Sequence, residues 1–182
     1  IMIFSSCSKN NPDPISSGGI YEDGYFIINE GNFNSGNGSI SYINENGIVE
    51  NDVFATNNSS FLGDVVQSMN IIGDNAYIVV NNSGKIEVAS KDSMKYITTI
   101  NASSPRYIEK VSQNKAYVTD WGINGVQVID LENNIVTSTI NCGTGPEGIT
   151  YSNGYAYVCN VGGWGLDNTV SKINTETDIV EY

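Results

Sequence analysis

The stretch Lys115-Ala116-Tyr117-Val118-Thr119-Asp120-Trp121-Gly122 recurs along the chain. One copy lies upstream and one downstream: Asn75-Ala76-Tyr77-Ile78-Val79-Val80-Asn81-Asn82 and Tyr155-Ala156-Tyr157-Val158-Cys159-Asn160-Val161-Gly162. Their central tyrosines are 40 residues apart both times, and a weaker copy at 24–31 precedes them. A fixed period near 40 residues, made of short strands and turns, is typical of a propeller or a solenoid.

Each repeat contains four short apolar runs bounded by Asn, Gly, Ser and Asp, which predict half-buried antiparallel strands. In the third repeat the runs are 116–120, 125–130, 135–140 and 148–151. Four strands that cannot bury their faces alone make one blade of a β-propeller. No long stretch has a 3.6-residue apolar period, so we expect an all-β fold with almost no helix.

The repeats divide residues 20–182 into units, and the last unit stops during its third strand. The chain is therefore expected to hold three full blades and most of a fourth, as a piece of a longer protein. An open ring leaves sheet faces exposed, so this piece is expected to fold poorly by itself. The expected blades are approximately 20–73, 74–113, 114–153 and 154–182.

Composition excludes several classes of function. Twenty acidic side chains against eight basic ones give a net charge of −12, which argues against a nucleic-acid partner. The chain has no histidine, so it can form neither a Ser-His-Asp triad nor a His-based zinc site. Carboxylates such as Glu30, Asp120 and Glu147 could serve a hydrolase or lyase, but no nucleophile–base pair accompanies them. We therefore predict a protein that is not an enzyme and needs no cofactor or metal.

The chain begins Ile1-Met2-Ile3-Phe4-Ser5-Ser6-Cys7. Apolar residues, then small ones, then a cysteine resemble the end of a bacterial lipoprotein signal, with Cys7 as the lipidated residue. Residues 8–19 are polar and contain proline, as expected of a tether. The alternative is a frayed strand with an incidental cysteine. No segment is long enough to span a membrane, so attachment is expected only through a lipid on Cys7.

The repeat resembles the YVTN-type repeat of surface-layer and YncE-like propellers. The matching segments, within residues 74–174, are Ala116-Tyr117-Val118-Thr119-Asp120, Val126-Gln127-Val128-Ile129-Asp130, Thr139-Ile140-Asn141-Cys142-Gly143 and Pro146-Glu147-Gly148. The first repeat fits this pattern only loosely, because its loops are longer. The resemblance implies a ring of seven four-stranded blades in the parent protein.

Together with the lipoprotein-like start, the chain resembles surface lipoproteins of Bacteroidetes-type bacteria, which include cobalamin-binding propellers. That resemblance implies an extracellular domain anchored to the outer membrane and displayed at the cell surface. It also implies a small-molecule ligand, cobalamin or another corrinoid, which is handed to an outer-membrane TonB-dependent transporter. The alternative is a structural or adhesive propeller that binds a glycan or a protein.

In such repeats the tyrosine strand ends, and the innermost strand begins, on one face around the central channel. We call this the loop face, and the loops that exceed the repeat length, at 32–38 and 161–168, also belong to it. Flat aromatics with amide, carboxylate and guanidinium groups suit a large, planar, neutral ligand. The predicted ligand-binding residues are Asn32, Phe33, Gln67, Asn81, Arg106, Tyr107, Asp120, Trp121, Glu147, Asn160 and Trp164.

Several of these residues have a structural alternative. Trp121 and Trp164 could fill gaps between blades, and Arg106 could pair with Asp120 or Glu147 to tie blades together. The three repeat tyrosines are expected in the core. Cys142 and Cys159 could form a disulfide, although Cys159 occupies the position of Thr119 and is better interpreted as a small core residue.

Overall fold

The computed structural model describes residues 21–181. The predicted signal and tether, with Cys7, lie outside the described residues. The described part contains fifteen strands, one short α-helix and one 3₁₀ turn. None of its helices is long and apolar enough to cross a membrane.

The strands form four antiparallel sheets that we number along the chain. Sheet 1 consists of β1 (Gly24–Asn29), β2 (Ser39–Asn44) and β3 (Val49–Glu50). Sheet 2 consists of β4 (Val66–Ile72), β5 (Asn75–Val80), β6 (Lys85–Ser90) and β7 (Tyr96–Asn101). Sheet 3 consists of β8 (Pro105–Lys110), β9 (Lys115–Asp120), β10 (Gly125–Asp130) and β11 (Ile135–Asn141). Sheet 4 consists of β12 (Pro146–Ser152), β13 (Tyr155–Asn160), β14 (Thr169–Asn174) and β15 (Ile179–Val180).

The sheets correct the expected blade boundaries. Each four-stranded sheet begins with the innermost strand, whereas the sequence units begin with the tyrosine strand. The unit 74–113 therefore runs from β5 to β8 and takes its last strand from the next sheet. The repeat length is the same whether a blade is counted from the tyrosine strand or from the innermost strand, so periodicity does not show where a blade begins. The hydrogen-bonded pairing of the strands does.

Sheet 1 departs from the other three. It has three strands in place of four, and after its outermost strand β3 the chain forms helix α1 (Val53–Asn58), although the sequence predicts almost no helix. The helix buries Val53 and Phe54 against sheet 1. Six residues are too few to show a helical apolar period, so tertiary packing must supply most of the stability of α1.

Apolar side chains fill the space between neighbouring sheets in three separate clusters, one for each pair of sheets. Tyr77 and Tyr117 lie within these clusters at 1% and 0% exposure, which confirms their prediction as core residues. Tyr157, on sheet 4, is half-buried. Cys142 and Cys159 are both free thiols. Cys159 is exposed rather than in the core, because its face of sheet 4 is not covered within the described residues.

The repeat tyrosines also join neighbouring sheets through their hydroxyl groups. The Tyr77 hydroxyl donates to Asn134 Oδ1 at 2.7 Å, in the β10–β11 turn of sheet 3. The Tyr117 hydroxyl donates to Asp178 in the equivalent turn of sheet 4, and Lys115 Nζ lies 2.6 Å from the same carboxylate. Asn134 and Asp178 both have a left-handed backbone, with φ of 55° and 58°. We call these two tyrosine hydrogen bonds latches, because each joins one blade to a turn of the next.

We predict that Asp178→Gly lowers the free energy of unfolding by about 2 kcal/mol, because Lys115 and Tyr117 lose a charged acceptor. Glycine tolerates the positive φ, so backbone strain does not contribute. Asp178→Asn gives a neutral acceptor like Asn134 beside Tyr77, so it should lower the free energy of unfolding by about half as much. Urea denaturation measures both losses, and equal stability of wild type and Asp178→Gly would contradict the latch.

The latch also predicts alkaline sensitivity. Burial, and then the hydrogen bond to Asp178, raise the pKa of Tyr117 above its ordinary value of 10.0. Because the folded-state pKa exceeds the unfolded one, the stabilisation is complete below about pH 10 and is lost as the pH rises beyond it. The urea midpoint should therefore fall above that pH, and less steeply in Tyr117→Phe. Tyr25→Phe is the control, since Tyr25 is 73% exposed; equal slopes in all three proteins would refute the assignment.

Candidate functional site

Strand pairing places the predicted site residues at one end of the sheets. Pro105 at the start of β8 is paired with Asp120 at the end of β9, and Pro146 is paired with Asn160 in the same way. The innermost strands β4, β8 and β12 also contact each other in order. The loop face is thus a continuous surface across sheets 2, 3 and 4.

In sheets 2, 3 and 4 the innermost strand has a β-bulge close to its start. The register shifts between Val66 and Ser68 in β4, between Pro105 and Ile108 in β8, and between Pro146 and Ile149 in β12. A bulge inserts an extra residue and turns side chains away from their regular alternation. The residues within these bulges include Gln67, Arg106, Tyr107 and Glu147.

Arg106 and Glu147 form a bidentate ion pair between sheets 3 and 4. Arg106 Nε donates to Glu147 Oε2 at 2.8 Å, and Arg106 Nη2 donates to Oε1 at 2.7 Å. The two side chains are only 15% and 21% exposed. Of the two acceptors considered from sequence, Arg106 pairs with Glu147 and not with Asp120. This pair is a rigid connection between blades as well as a polar part of the site.

Trp121 lies on the guanidinium group of Arg106. It begins the 3₁₀ turn Trp121–Ile123, and Arg106 Cζ lies 4.3 Å from the centre of its ring. A Cβ at Gly163 would come within 3.6 Å of the same ring, so the backbone of sheet 4 also lies against the indole. Trp121 is half-buried. The packing alternative considered from sequence therefore accounts for much of its surface.

Trp164 differs from Trp121, because its side chain is 97% exposed. Its ring meets Trp121 edge-to-face, with centroids 6.2 Å apart and an interplanar angle of 79°. The neighbouring Leu166 is also fully exposed. An indole that projects into solvent from a loop is available to a ligand, and little of its surface is used for packing.

The loop that carries Trp164 is anchored at both ends. Asp167 accepts hydrogen bonds from the Thr144 N–H at 2.7 Å and from the Thr169 N–H and hydroxyl at 3.0 and 2.7 Å. The Thr169 hydroxyl, and then the Thr144 N–H, lower the pKa of Asp167. At the other end Gly145 packs against Gly163 so closely that a Cβ on Gly145 would lie 2.2 Å from the Gly163 nitrogen. Sequence analysis missed these anchors; the longer loop was the only signal for them.

Asp120 shapes the loop face but does not line it. Its side chain is fully buried and accepts from the backbone N–H groups of Ser103, Ser104 and Gly122, and from Gln127 Nε2. All four donors lie between 2.8 and 3.1 Å from its oxygens. The structure thus assigns Asp120 to a scaffold, in place of the ligand contact predicted from sequence.

Asn160 occupies the position of Asp120 on sheet 4, whereas Asn81 occupies the position of Trp121 on sheet 2, because strand pairing matches Val80, Asp120 and Asn160 to one another. Asn160 is 2% exposed and donates to the Thr169 and Ser171 hydroxyls, both at 3.0 Å. Asn81 donates to Ser104 Oγ at 3.1 Å and to the Pro105 carbonyl at 2.9 Å. Asn81 holds the connection between sheets 2 and 3, whereas Asn160 ties β13 to β14 within sheet 4 and leaves its buried Oδ1 without a hydrogen-bond partner among residues 21–181.

Gln67 on sheet 2 and Tyr107 on sheet 3 lie next to each other, with Gln67 Nε2 3.5 Å from the Tyr107 hydroxyl. Gln67 Oε1 is buried and has no hydrogen-bond partner among residues 21–181, and the same holds for Trp121 Nε1. Buried polar atoms are nearly always paired with protein, water or a ligand. These two atoms therefore mark positions where a bound molecule or ordered water would complete the hydrogen bonding.

Asn32 and Phe33 lie outside this group. Both belong to the loop after β1 of sheet 1, where the Asn32 N–H donates to Asn37 Oδ1 at 2.8 Å. Phe33 is 66% exposed. Sheet 2 separates sheet 1 from sheet 3, so the structure does not bring Phe33 to the tryptophans.

We call Arg106, Trp121, Glu147 and Trp164 the tryptophan cluster. It combines one free aromatic face with a neutralised ion pair beneath it, so it can stack on a planar or apolar molecule without attracting a strong counter-charge. In the described part of the chain, no three His, Cys, Asp or Glu side chains are close enough to hold a metal ion.

The ion pair can be tested by a double-mutant cycle. Arg106→Ala and Glu147→Ala should each destabilise the protein, and the double variant should lose less than the sum of the two, with a coupling energy of about 2 kcal/mol. Urea denaturation of the four proteins measures the coupling. Additive losses would show that the two side chains act independently.

One known protein family covers almost all of the described fold. The model of a family described as a domain of unknown function, DUF5074, matches residues 23–181, so the chain belongs to this family. A search of curated proteins gives no match to the sequence.

Solved structures show the same fold. Hydrazine synthase from Kuenenia stuttgartiensis matches with a TM-score of 0.71 and 16% identity, over 97% of this chain and 52% of that chain. The WD40 β-propeller domain of Doa1 matches with a TM-score of 0.60 and 13% identity, over 79% and 46%. A Bacteroides caccae protein of unknown function matches with a TM-score of 0.56 and 14% identity, over 80% and 58%.

The chain thus spans about half the length of these structures. At such identities the likeness establishes the fold alone. That fold is a β-propeller, of which this chain forms about three and a half blades, as the repeat predicted.

Proposed function

We propose that this member of the DUF5074 family is a surface-displayed binding protein that captures a small, planar organic molecule on the loop face. The observation that carries the proposal is Trp164, a 97% exposed indole on a loop that Asp167 anchors at one end and the contact of Gly163 with Gly145 anchors at the other. An exposed aromatic residue on a rigid support loses little conformational entropy when a ligand stacks on it. Function here is binding, without chemistry on the ligand.

The polar groups around Trp164 favour a neutral ligand that carries amides. Glu147 already neutralises Arg106, so neither is available as a free charge. The unpaired Gln67 Oε1 can accept a hydrogen bond from a ligand amide, and Trp121 Nε1 can donate one. A corrinoid, which is flat and edged with amide groups, suits this set, and it is also what the YVTN-type lipoprotein resemblance implies.

Display at the outer membrane completes this proposal. The start of the chain resembles a lipoprotein signal that ends at Cys7, and a polar tether follows it. A lipid-anchored propeller at the cell surface would pass its ligand to a TonB-dependent transporter. Support for this part comes from the sequence resemblance alone.

The second candidate is adhesion to a glycan or a protein. Leu166 is fully exposed beside Trp164, and Phe33 is 66% exposed on the loop of sheet 1. Exposed apolar side chains on one face favour contact with a macromolecule. A protein partner would bury Leu166 and Trp164 together, whereas a small planar ligand needs only the indole.

Calorimetric titration of the full-length protein with cyanocobalamin tests the first candidate. We expect one-to-one binding that Trp164→Ala weakens by about tenfold or more, because the stacking surface is removed. Ile135→Ala is the matched control, since Ile135 is 51% exposed on the outermost strand of sheet 3. Its affinity should equal that of wild type.

Two outcomes would redirect the proposal. If no corrinoid gives heat, the capture role is wrong and the adhesive candidate takes its place. If cyanocobalamin binds equally well to wild type and to Trp164→Ala, the ligand does not lie on the tryptophan cluster.

A further inference from the structure

A separate pocket lies between helix α1 and the two outer strands of sheet 2. Its volume is about 410 Å³. Helix α1 contributes one wall and strands β6 and β7 contribute the other. The residues that line it are Phe54, Asn58, Ser60, Glu87, Tyr96 and Thr99.

A β-bulge between β6 and β7 places the polar side chains of this pocket on the same face of sheet 2. Glu87 is paired with Thr99 and Ala89 with Tyr96, with a register shift that leaves Ile97 as the extra residue. Glu87 and Ala89 share a face because they are two residues apart on β6. Their partners Thr99 and Tyr96 therefore share that face too, although they are three residues apart.

Glu87 is a buried carboxylate whose charge is already balanced. It is 6% exposed, Lys85 Nζ lies 2.5 Å from its Oε1, and the Thr99 hydroxyl donates to its Oε2 at 2.6 Å. Each carboxylate oxygen has a second lone pair that can accept from a ligand hydroxyl. An organic cation gains little here, because Lys85 already occupies the position of the counter-ion.

The helical wall is held rigidly against Tyr96. Asn58 Oδ1 accepts from the Tyr96 N–H at 2.8 Å, while its Nδ2 donates to the Met94 carbonyl at 2.6 Å and to the Phe54 carbonyl at 2.8 Å. Lys95 Nζ also donates to the Asn57 carbonyl. The pocket is therefore formed by elements that are tied to each other before any ligand arrives.

Tyr96 supplies an exposed aromatic surface. Its side chain is 52% exposed, and its hydroxyl lies 3.2 Å from Thr99 Oγ1. The pocket thus joins an aromatic platform to a carboxylate, two hydroxyls and an adjacent Ser60. The apolar face of a pyranose ring packs on an aromatic ring, while its hydroxyl groups donate to carboxylate and hydroxyl oxygens.

We propose that this pocket is a binding site for a neutral saccharide, with Tyr96 as the platform and Glu87 and Thr99 as the hydrogen-bonding edge. The corresponding positions of sheet 3 provide an internal contrast. There Gln127 and Thr139 are paired as Glu87 and Thr99 are, but Val136 stands in the position of Tyr96. The site is distinct from the tryptophan cluster and does not rest on the function proposed for it.

Saturation-transfer NMR on the full-length protein tests the proposal with the methyl pyranosides of glucose, galactose and mannose and with N-acetylglucosamine. At least one of them should bind at millimolar concentration. Tyr96→Ala and Thr99→Val should each weaken that binding by roughly tenfold, because the platform or the hydroxyl is lost. Thr99→Ser keeps the hydroxyl and should bind like wild type.

Two further variants distinguish binding in this pocket from binding elsewhere on the protein. Val136→Ala, at the position of sheet 3 equivalent to Tyr96, and Trp164→Ala, in the tryptophan cluster, should leave saccharide binding unchanged. Tetramethylammonium should not compete. Absence of binding by all four sugars, loss of binding in Trp164→Ala alone, or competition by tetramethylammonium would each overturn the proposal.

Discussion

Burial of sheet faces against neighbouring sheets is the constraint on which this structure depends. A single four-stranded sheet has an apolar face on each side, and here the three core clusters lie between sheets and not within them. Each sheet is therefore stable only beside another. The tyrosine latches strengthen the same interfaces, because Tyr77 and Tyr117 cross from one sheet to a turn of the next.

The same dependence on neighbours builds the loop face. Asp120 holds two loops, Asn160 ties β13 to β14, and Arg106 and Glu147 connect the innermost strands of adjacent sheets. Polar residues that look available in the sequence are thus largely occupied. What remains free is Trp164, whose loop has extra residues and leaves the regular repeat. Function in a repeat protein tends to appear where the repeat is interrupted.

Helix α1 illustrates the same point on the outer side of the molecule. The first repeat is longer than the others, and its short outermost strand β3 is followed by helix α1, which packs against β2. Because Asn58 fixes the helix to β7, a pocket forms beside a β-bulge that sheet 3 also possesses. A local insertion therefore gives one blade a feature that its neighbours lack.

Local signals in the sequence were enough to predict the repeat, the strands, the buried tyrosines and the position of the longer loops, since strand alternation and turn residues act over a few positions. Only the folded chain shows that Arg106 pairs with Glu147 and not Asp120, that Asp120 is buried, and that Trp164 is exposed while Trp121 is packed. These outcomes depend on distances between sheets, which the β-bulges and the loop anchors set. Periodicity carries no information about such distances, because it records only the spacing of residues along the chain. An Arg106–Glu147 pair and an Arg106–Asp120 pair are compatible with the same repeat.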